Sequence, residues 1–331
     1  MSIMRTSSYA LAIILVCLVF YFGTVLRDIC LRSTWTKSSD CIMKFERYES
    51  STFEKLWLDN VKSWQDDPCA KLPEQALQAE IWSTYATKNQ DKPQSNPPSD
   101  EVFSRYIFRN TCSGSEMKVY IEPLALTNRH PHFCSGGRND ALLLDKSYMV
   151  LDWQLRTLAT GNVYYFDLGA STYDQGLGGN SQKWIVENYA KRGINFSGIF
   201  AWEAYPLNAA DVFRVLPPEL HSKYRWYNFP VNATEGSPSN PWTMLAEVVK
   251  PSDFTVVKLD IDSPSIETPL AQQLIDNPSL LQLVDEFYFE HHVNLTPLAP
   301  WWGPVTGIYL EDTQKTFLAL RKAGIRAHSW V

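Results

Sequence analysis

The sequence predicts a Rossmann-like α/β fold with a mostly parallel sheet. Two observations carry this. From about Asn162, apolar strand-like runs alternate with amphipathic helix-like runs, and several of the strands end in small or charged residues. Hydrophobic residues make up 45% and charged residues 20% of the 331-residue chain, enough to bury both faces of such a sheet. The series runs VYYFDLGA, SQKWIVENYAKRG, FSGIFAWEA, NAADVFRVL, YRWYNFPV, PWTMLAEVV, FTVVKLDI, PLAQQLI, LVDEFYFEHHV, TQKTFLALRKAG and IRAHSWV. Strands alternating with helices at this spacing imply βαβ units covered on both sides.

Upstream the pattern is different. Tyr9 to Leu26 is uncharged and long enough to be read as a membrane anchor, so residues 1–27 are expected to place the protein on a membrane. Residues 28–99 read as stem and linker. Within them Phe53–Trp64 has helical periodicity, and the Asp91–Asp100 stretch is polar and proline-rich. The catalytic part is then 100–331, with its core at 160–331. Arg27, Arg32 and Lys37 follow the apolar run and favour a cytoplasmic domain. Three sequons, at Asn195, Asn232 and Asn294, and the habit of singly anchored enzymes favour a lumenal Golgi or endoplasmic reticulum domain, which is the expectation adopted. The five cysteines outside the apolar run fit two disulfides and a free thiol, or none. The net charge of −6 argues against a nucleic-acid partner.

In a doubly wound sheet, ligands lie outside the carboxyl ends of the strands. The first core strand ends in Asp167-Leu168-Gly169-Ala170-Ser171, an acid followed by a small-residue turn that lets a ligand approach the backbone. A second glycine cluster, Gly176 to Asn180, comes after it. The next strand ends in Trp202-Glu203, and a carboxylate there can accept both hydroxyls of a ribose. Lys258, Asp260 and Asp262 share one side of a later strand and are tolerable only at its open end. Glu290-His291-His292 closes the following strand, where histidine can bind a metal or accept a proton. His328 reads as structural.

With these loops in order, residues 162–293 resemble the FkbM-like S-adenosylmethionine-dependent methyltransferases. Asp167-Leu-Gly169-Ala170 is similar to the family's D-x-G-A-N, with Ser171 in place of the asparagine. Trp202–Pro206 resembles its E-P-x-P region. Lys258-Leu-Asp260-Ile-Asp262 with Glu267 resembles K-x-D-x-E-G-x-E, and Glu290-His291 lies where the family has E-V-H. The resemblance implies a class I methyltransferase sandwich binding S-adenosylmethionine through Asp167, Gly169, Ser171 and Glu203. It places Lys258 and Asp260 near the reacting centre but does not name the methyl acceptor. On this reading Asp260 or His291 is the general base for O-methyl transfer, with a glycan or a small molecule as the expected acceptor.

Two other readings stand beside it. Asp260-Ile-Asp262 is a D-x-D after an apolar strand, the arrangement by which Golgi glycosyltransferases hold a cation. The methyltransferase reading assigns no metal ligand, and Asp260, Asp262 and His292 are the candidates should a metal bind. A non-catalytic membrane protein that keeps the fold is the other alternative.

Overall fold

The computed structural model describes residues 41–88, 96–134, 146, 149, 152–176, 181–303 and 305–330. The expected anchor at 1–27 and most of the Gly176–Asn180 cluster lie outside the described residues. No helix among the described residues is long and apolar enough to cross a membrane. The chain divides at Ile42, and Met43–Val331 forms one compact unit.

Chain order in this unit begins with β1 (Met43–Glu49), α1 (Thr52–Trp64) and α2 (Ala76–Lys88). Strands β2 (Ser104–Asn110) and β3 (Glu116–Ile121) come next. The alternating part begins with β4 (Val163–Leu168), α3 (Ser181–Lys191), β5 (Gly198–Trp202), α4 (Ala209–Arg214) and β6 (Tyr224–Tyr227). It continues with α5 (Pro241–Val248), β7 (Phe254–Leu259), α6 (Pro264–Asp276) and α7 (Pro278–Leu281). It ends with β8 (Glu286–Phe289), α8 (Ala299–Trp302), α9 (Leu310–Lys322) and β9 (Arg326–Ser329).

The main sheet has six strands in the order β6-β5-β4-β7-β8-β9, and every neighbouring pair is parallel. The order reverses between β4 and β7, which makes the carboxyl ends of these two strands the switch point. Alternation along β4 separates two apolar layers. Val163 and Tyr165 join one cluster, and Phe166 and Leu168 join the other. The second cluster gathers Trp242, Leu245, Leu270 and Phe317 from the helices on that face. Burying one such side chain contributes roughly 1.5–3 kcal/mol, so both layers stabilise the strand ends that carry the polar residues.

The segment expected as stem is, from Met43 to Lys88, part of the same compact unit. Strand β1 pairs antiparallel with β2, and β2 with β3, to form a separate three-stranded sheet. Ser51 caps α1 by accepting from the Glu54 amide at 3.0 Å. Trp57 of α1 and Trp82 of α2 are wholly buried in the first apolar layer. A charged tie completes the docking. Arg321 of α9, fully buried, donates to Glu54 Oε2 (3.0 Å), Tyr48 Oη (3.1 Å) and the Glu122 carbonyl (3.0 Å), and pairs with Glu122 Oε1 at 3.4 Å. The proline-rich stretch also ends in structure, since Asp100 binds Lys118 at 3.0 Å and the Tyr120 hydroxyl at 2.8 Å.

Cys69 and Cys134 form a disulfide across a sequence separation of 65, and Cys41 and Cys112 are disulfide-bonded as well. Closing a loop of the Cys69–Cys134 length disfavours the unfolded chain by about 4 kcal/mol in the chain-entropy picture.

Candidate functional site

At the end of β4 the backbone turns away from the sheet through two left-handed residues, Gly169 (φ 86°) and Ser171 (φ 49°). A β-carbon on Gly169 would overlap the carbonyl of Asp260, so the two strand ends meet backbone to backbone. The Asp260 amide donates to the Leu168 carbonyl at 3.0 Å, and the Gly169 and Ala170 amides donate to the Trp202 carbonyl. Gln182 of α3 donates to the Ala170 carbonyl and accepts from the Tyr224 hydroxyl.

Glu203 lies half-buried where β5 ends. Its Oε2 accepts from the Ser171 amide at 2.8 Å and its Oε1 from the Tyr205 amide at 2.7 Å. The carboxylate therefore ties the β4 turn to the β5 turn. A carboxylate offers about four acceptor positions, so two remain after these bonds.

Lys258 is buried and its ammonium is fully engaged. It donates to the Gly169 carbonyl at 2.9 Å and pairs with Asp260 Oδ2 at 3.1 Å and Asp167 Oδ1 at 3.3 Å. One hydrogen bond and two ion pairs make Lys258 the clamp between β4 and β7. Burial opposes its charge, but Asp260 and Asp167 outweigh that and raise its pKa. Burial likewise opposes the Asp260 carboxylate; Lys258 overcomes it and holds Asp260 below the usual range. Asp167 fares differently. Burial outweighs its contact with Lys258 and pushes it up to about 6. One lysine beside two buried carboxylates stabilises one of them as an ion and leaves the other strained as one.

The neighbouring strand end adds a second cluster. Glu290, after β8, accepts from Arg129 Nη2 at 3.3 Å and from the Trp302 indole at 3.1 Å. Arg129 also donates to the Trp330 carbonyl, and its guanidinium lies 5.1 Å from the Trp302 ring centroid. Burial, then the Asp260 carboxylate, push Glu290 up to about 7. The negative charge on Asp260 thus favours the protonated form of Glu290. Lys146 is buried nearby, 4.9 Å from the Trp330 ring centroid, and burial followed by Lys258 lowers its pKa to about 8.

The two histidines point to opposite sides of the strand end. His291 packs on Phe289 and bonds Thr313 Oγ1 through Nδ1 at 2.9 Å, away from the carboxylates, and burial lowers its pKa to about 4. His292 enters the cluster instead. Its Nδ1 meets Glu267 Oε2 at 3.2 Å, and its Nε2 lies 3.6 Å from Asp262 Oδ1 and 3.7 Å from Glu290 Oε2. Burial disfavours its charge, yet Asp262, Glu267 and Glu290 together raise its pKa to about 10. Glu267 is itself fixed by accepting from the Ile261 amide at 2.8 Å.

Of the expected cofactor-binding and catalytic residues, Asp167, Gly169, Lys258 and Asp260 come together at the switch point, and Ser171 and Glu203 form the adjoining β4–β5 turn pair. His291 does not come in, because neighbouring residues at a strand end project to opposite sides. Asp260 and Asp262 do not converge as a D-x-D pair would: Asp260 turns to Lys258 and Asp262 to His292. Pro264 opens α6 at a position where its missing amide costs nothing. His328 is buried between Glu122 and Glu286 and stacked on Tyr288, a core position. The sequence alone does not single out Arg129 and Trp302 for this site; the Arg129-His130-Pro131-His132 run is the one trace that either leaves in it.

The parallel six-stranded sheet, its strand order and the helices on it define a Rossmann-like α/β protein, with a cluster of buried charges at the switch point. No family model, no curated protein and no solved structure matches the chain.

Proposed function

We propose that the protein is an S-adenosylmethionine-dependent methyltransferase of the class I type, transferring a methyl group to an oxygen of a glycan or small-molecule acceptor. The observation that carries this reading is the Gly169–Ser171 turn with the Glu203 carboxylate fixed upon it. The donor set fits a nucleoside. The two backbone amides immobilise Glu203 and leave acceptor positions for two ribose hydroxyls. The buried Asp167 carboxylate has no hydrogen bond of good geometry to either oxygen, and it suits the ammonium of an amino-acid tail.

When bound, S-adenosylmethionine would supply an electrophilic methyl group. The chain's own residues provide the rest. Lys258 holds Asp167, Gly169 and Asp260 in one frame, so the cofactor side and the acceptor side are aligned by one side chain. Asp260, held as a carboxylate by Lys258, is the group placed to take the acceptor proton. His291, turned towards Thr313, has no part in this.

The disulfide-bonded cysteines support a lumenal, oxidising setting, and the sequon residues Asn195 and Asn294 are exposed. With Tyr9–Leu26 as anchor, this reading makes the protein a single-pass enzyme of the secretory pathway. The decisive experiment is calorimetric titration of the full-length chain with S-adenosylhomocysteine, NAD and a UDP-sugar. Binding of the first alone is expected, and tight metal-dependent binding of the UDP-sugar would end the proposal.

A further inference from the structure

We infer that Asp262, Glu290 and His292 form a binding site for one divalent transition-metal ion, of the Mn2+ or Zn2+ type. One ligand atom from each of the three residues lies within 4.8 Å of the other two. The spacings from His292 Nε2 to the two carboxylate oxygens, 3.6 Å and 3.7 Å, are too long for hydrogen bonds. They approach the separation of ligands that share an ion at about 2.0–2.2 Å each.

The surroundings are built as metal sites are built. Histidine ligands are oriented by a carboxylate on their other ring nitrogen. Here Glu267, fully buried, meets His292 Nδ1 at 3.2 Å and leaves Nε2 facing Asp262 and Glu290, where the ion would displace the Nε2 proton on binding. Glu267 is in turn locked by the Ile261 amide, so the imidazole has a fixed direction. Glu290 is oriented in the same manner: Arg129 and Trp302 both donate to its Oε1, which turns Oε2 towards His292. The Trp302 ring packs on the imidazole at 5.0 Å and walls one side. Asp262 is the open side. Its side chain is 73% exposed, and its left-handed backbone (φ 54°) turns the carboxylate back over the strand end.

The ligand chemistry selects the ion. One imidazole nitrogen with two carboxylate oxygens and no thiolate excludes soft ions, and the nitrogen disfavours Mg2+ and Ca2+ relative to Mn2+ or Zn2+. Three protein ligands leave coordination positions on the Asp262 side for water or substrate. This deepens the methyltransferase reading and, for its role there, rests on it: the open positions are where an acceptor hydroxyl would be held and made more acidic. Binding of the ion itself does not depend on that reading.

The test uses the full-length chain, stripped with chelator and titrated with MnCl2 while free Mn2+ is followed by electron paramagnetic resonance, then with ZnCl2 as competitor. One ion per chain is expected. Asp262→Ala should weaken Mn2+ binding by about tenfold or more, and Glu267→Gln by about 10–100-fold. Asp262 is exposed, so Asp262→Ala should still fold, but its left-handed φ of 54° suits Ala less well and should lower the metal-free melting temperature slightly; affinity is therefore compared per folded molecule. Absence of Mn2+ and Zn2+ binding by the wild type up to millimolar concentration overturns the site, as does unchanged affinity in Asp262→Ala. S-adenosylhomocysteine binding is measured on the same samples. Metal binding without it sinks the methyltransferase reading and leaves the metal site standing.

Discussion

Gly169 and Asp260 lie back to back, so close that the glycine has no room for a side chain against the aspartate's carbonyl. The contact joins the ends of β4 and β7 where the strand order reverses. Every other polar residue of the crevice is positioned relative to it. Gly169→Ala must therefore force the strand ends apart as well as adopt a φ of 86°. The variant is expected to lose more than about 3 kcal/mol of stability, read as a lower urea midpoint, and to bind no S-adenosylhomocysteine. An unchanged midpoint would show that the turn relaxes without cost.

Glu203→Gln should have two effects. A carboxamide offers one oxygen where two amides, Ser171 and Tyr205, now donate, so one bond is lost and about 1–3 kcal/mol of stability with it. Affinity for S-adenosylhomocysteine should also fall by about tenfold per folded molecule. A thermal melt alongside calorimetric titration separates the two effects. A lower melting temperature with unchanged affinity would leave Glu203 as a loop tie only.

Asp167 predicts a pH dependence. Its folded pKa is raised to about 6, against roughly 3.9 in the unfolded chain. Between these values the folded state holds the extra proton, so the stability contributed by this proton is full below about pH 4. It is lost as pH rises through about 6. Asp167→Asn keeps the shape and can still present an oxygen to Lys258. It should melt above the wild type at pH 8, by up to about 3 kcal/mol in stability, with the gap closing at pH 4. A gap independent of pH would mean that Asp167 stays ionised throughout.

Arg321→Met should be among the most damaging changes away from the crevice. It leaves Glu54 and Glu122 buried with their cation removed, at a cost of about 3–5 kcal/mol. Equilibrium unfolding in urea checks the figure. A loss below about 1 kcal/mol would mean that water reaches the two carboxylates.

The alternating half of the fold was legible because β4, β5, β7 and β8 are short, mostly apolar runs that are buried, and β4 to β9 all fall within the runs read from the sequence. Upstream, the periodicity of Phe53–Trp64 was legible and is α1, but the place of Met43–Lys88 in the folded unit was not. The β1 sequence MKFERYE alternates apolar with charged residues, many of them exposed, and nothing local tells such a strand from a polar stem. Helix α1 is docked by a carboxylate 267 positions away from its arginine, a pairing no local periodicity records. The crevice was legible where a backbone requirement showed through, as at Gly169, and in the clustered charges of Lys258 and Asp260. It was illegible where two adjacent histidines offered the same chemistry, since only the handedness of the strand end decides that His292 faces the carboxylates. Arg129 reaches Glu290 from a loop 161 residues upstream and left no pattern beyond a basic run.

The Arg321 tie also dictates the order in which a growing chain can finish folding. Helix α1 emerges early from the ribosome with Glu54 on its inner face, but the cation that neutralises that carboxylate belongs to α9. Strand β9 comes later still, and its Ala327 carbonyl accepts from the same guanidinium at 2.8 Å. Until then Trp57 and Trp82 have no complete surface to cover them. During synthesis the amino-terminal segment thus waits with its apolar and charged groups uncovered, and ending the chain before Arg321 should leave it in that state permanently.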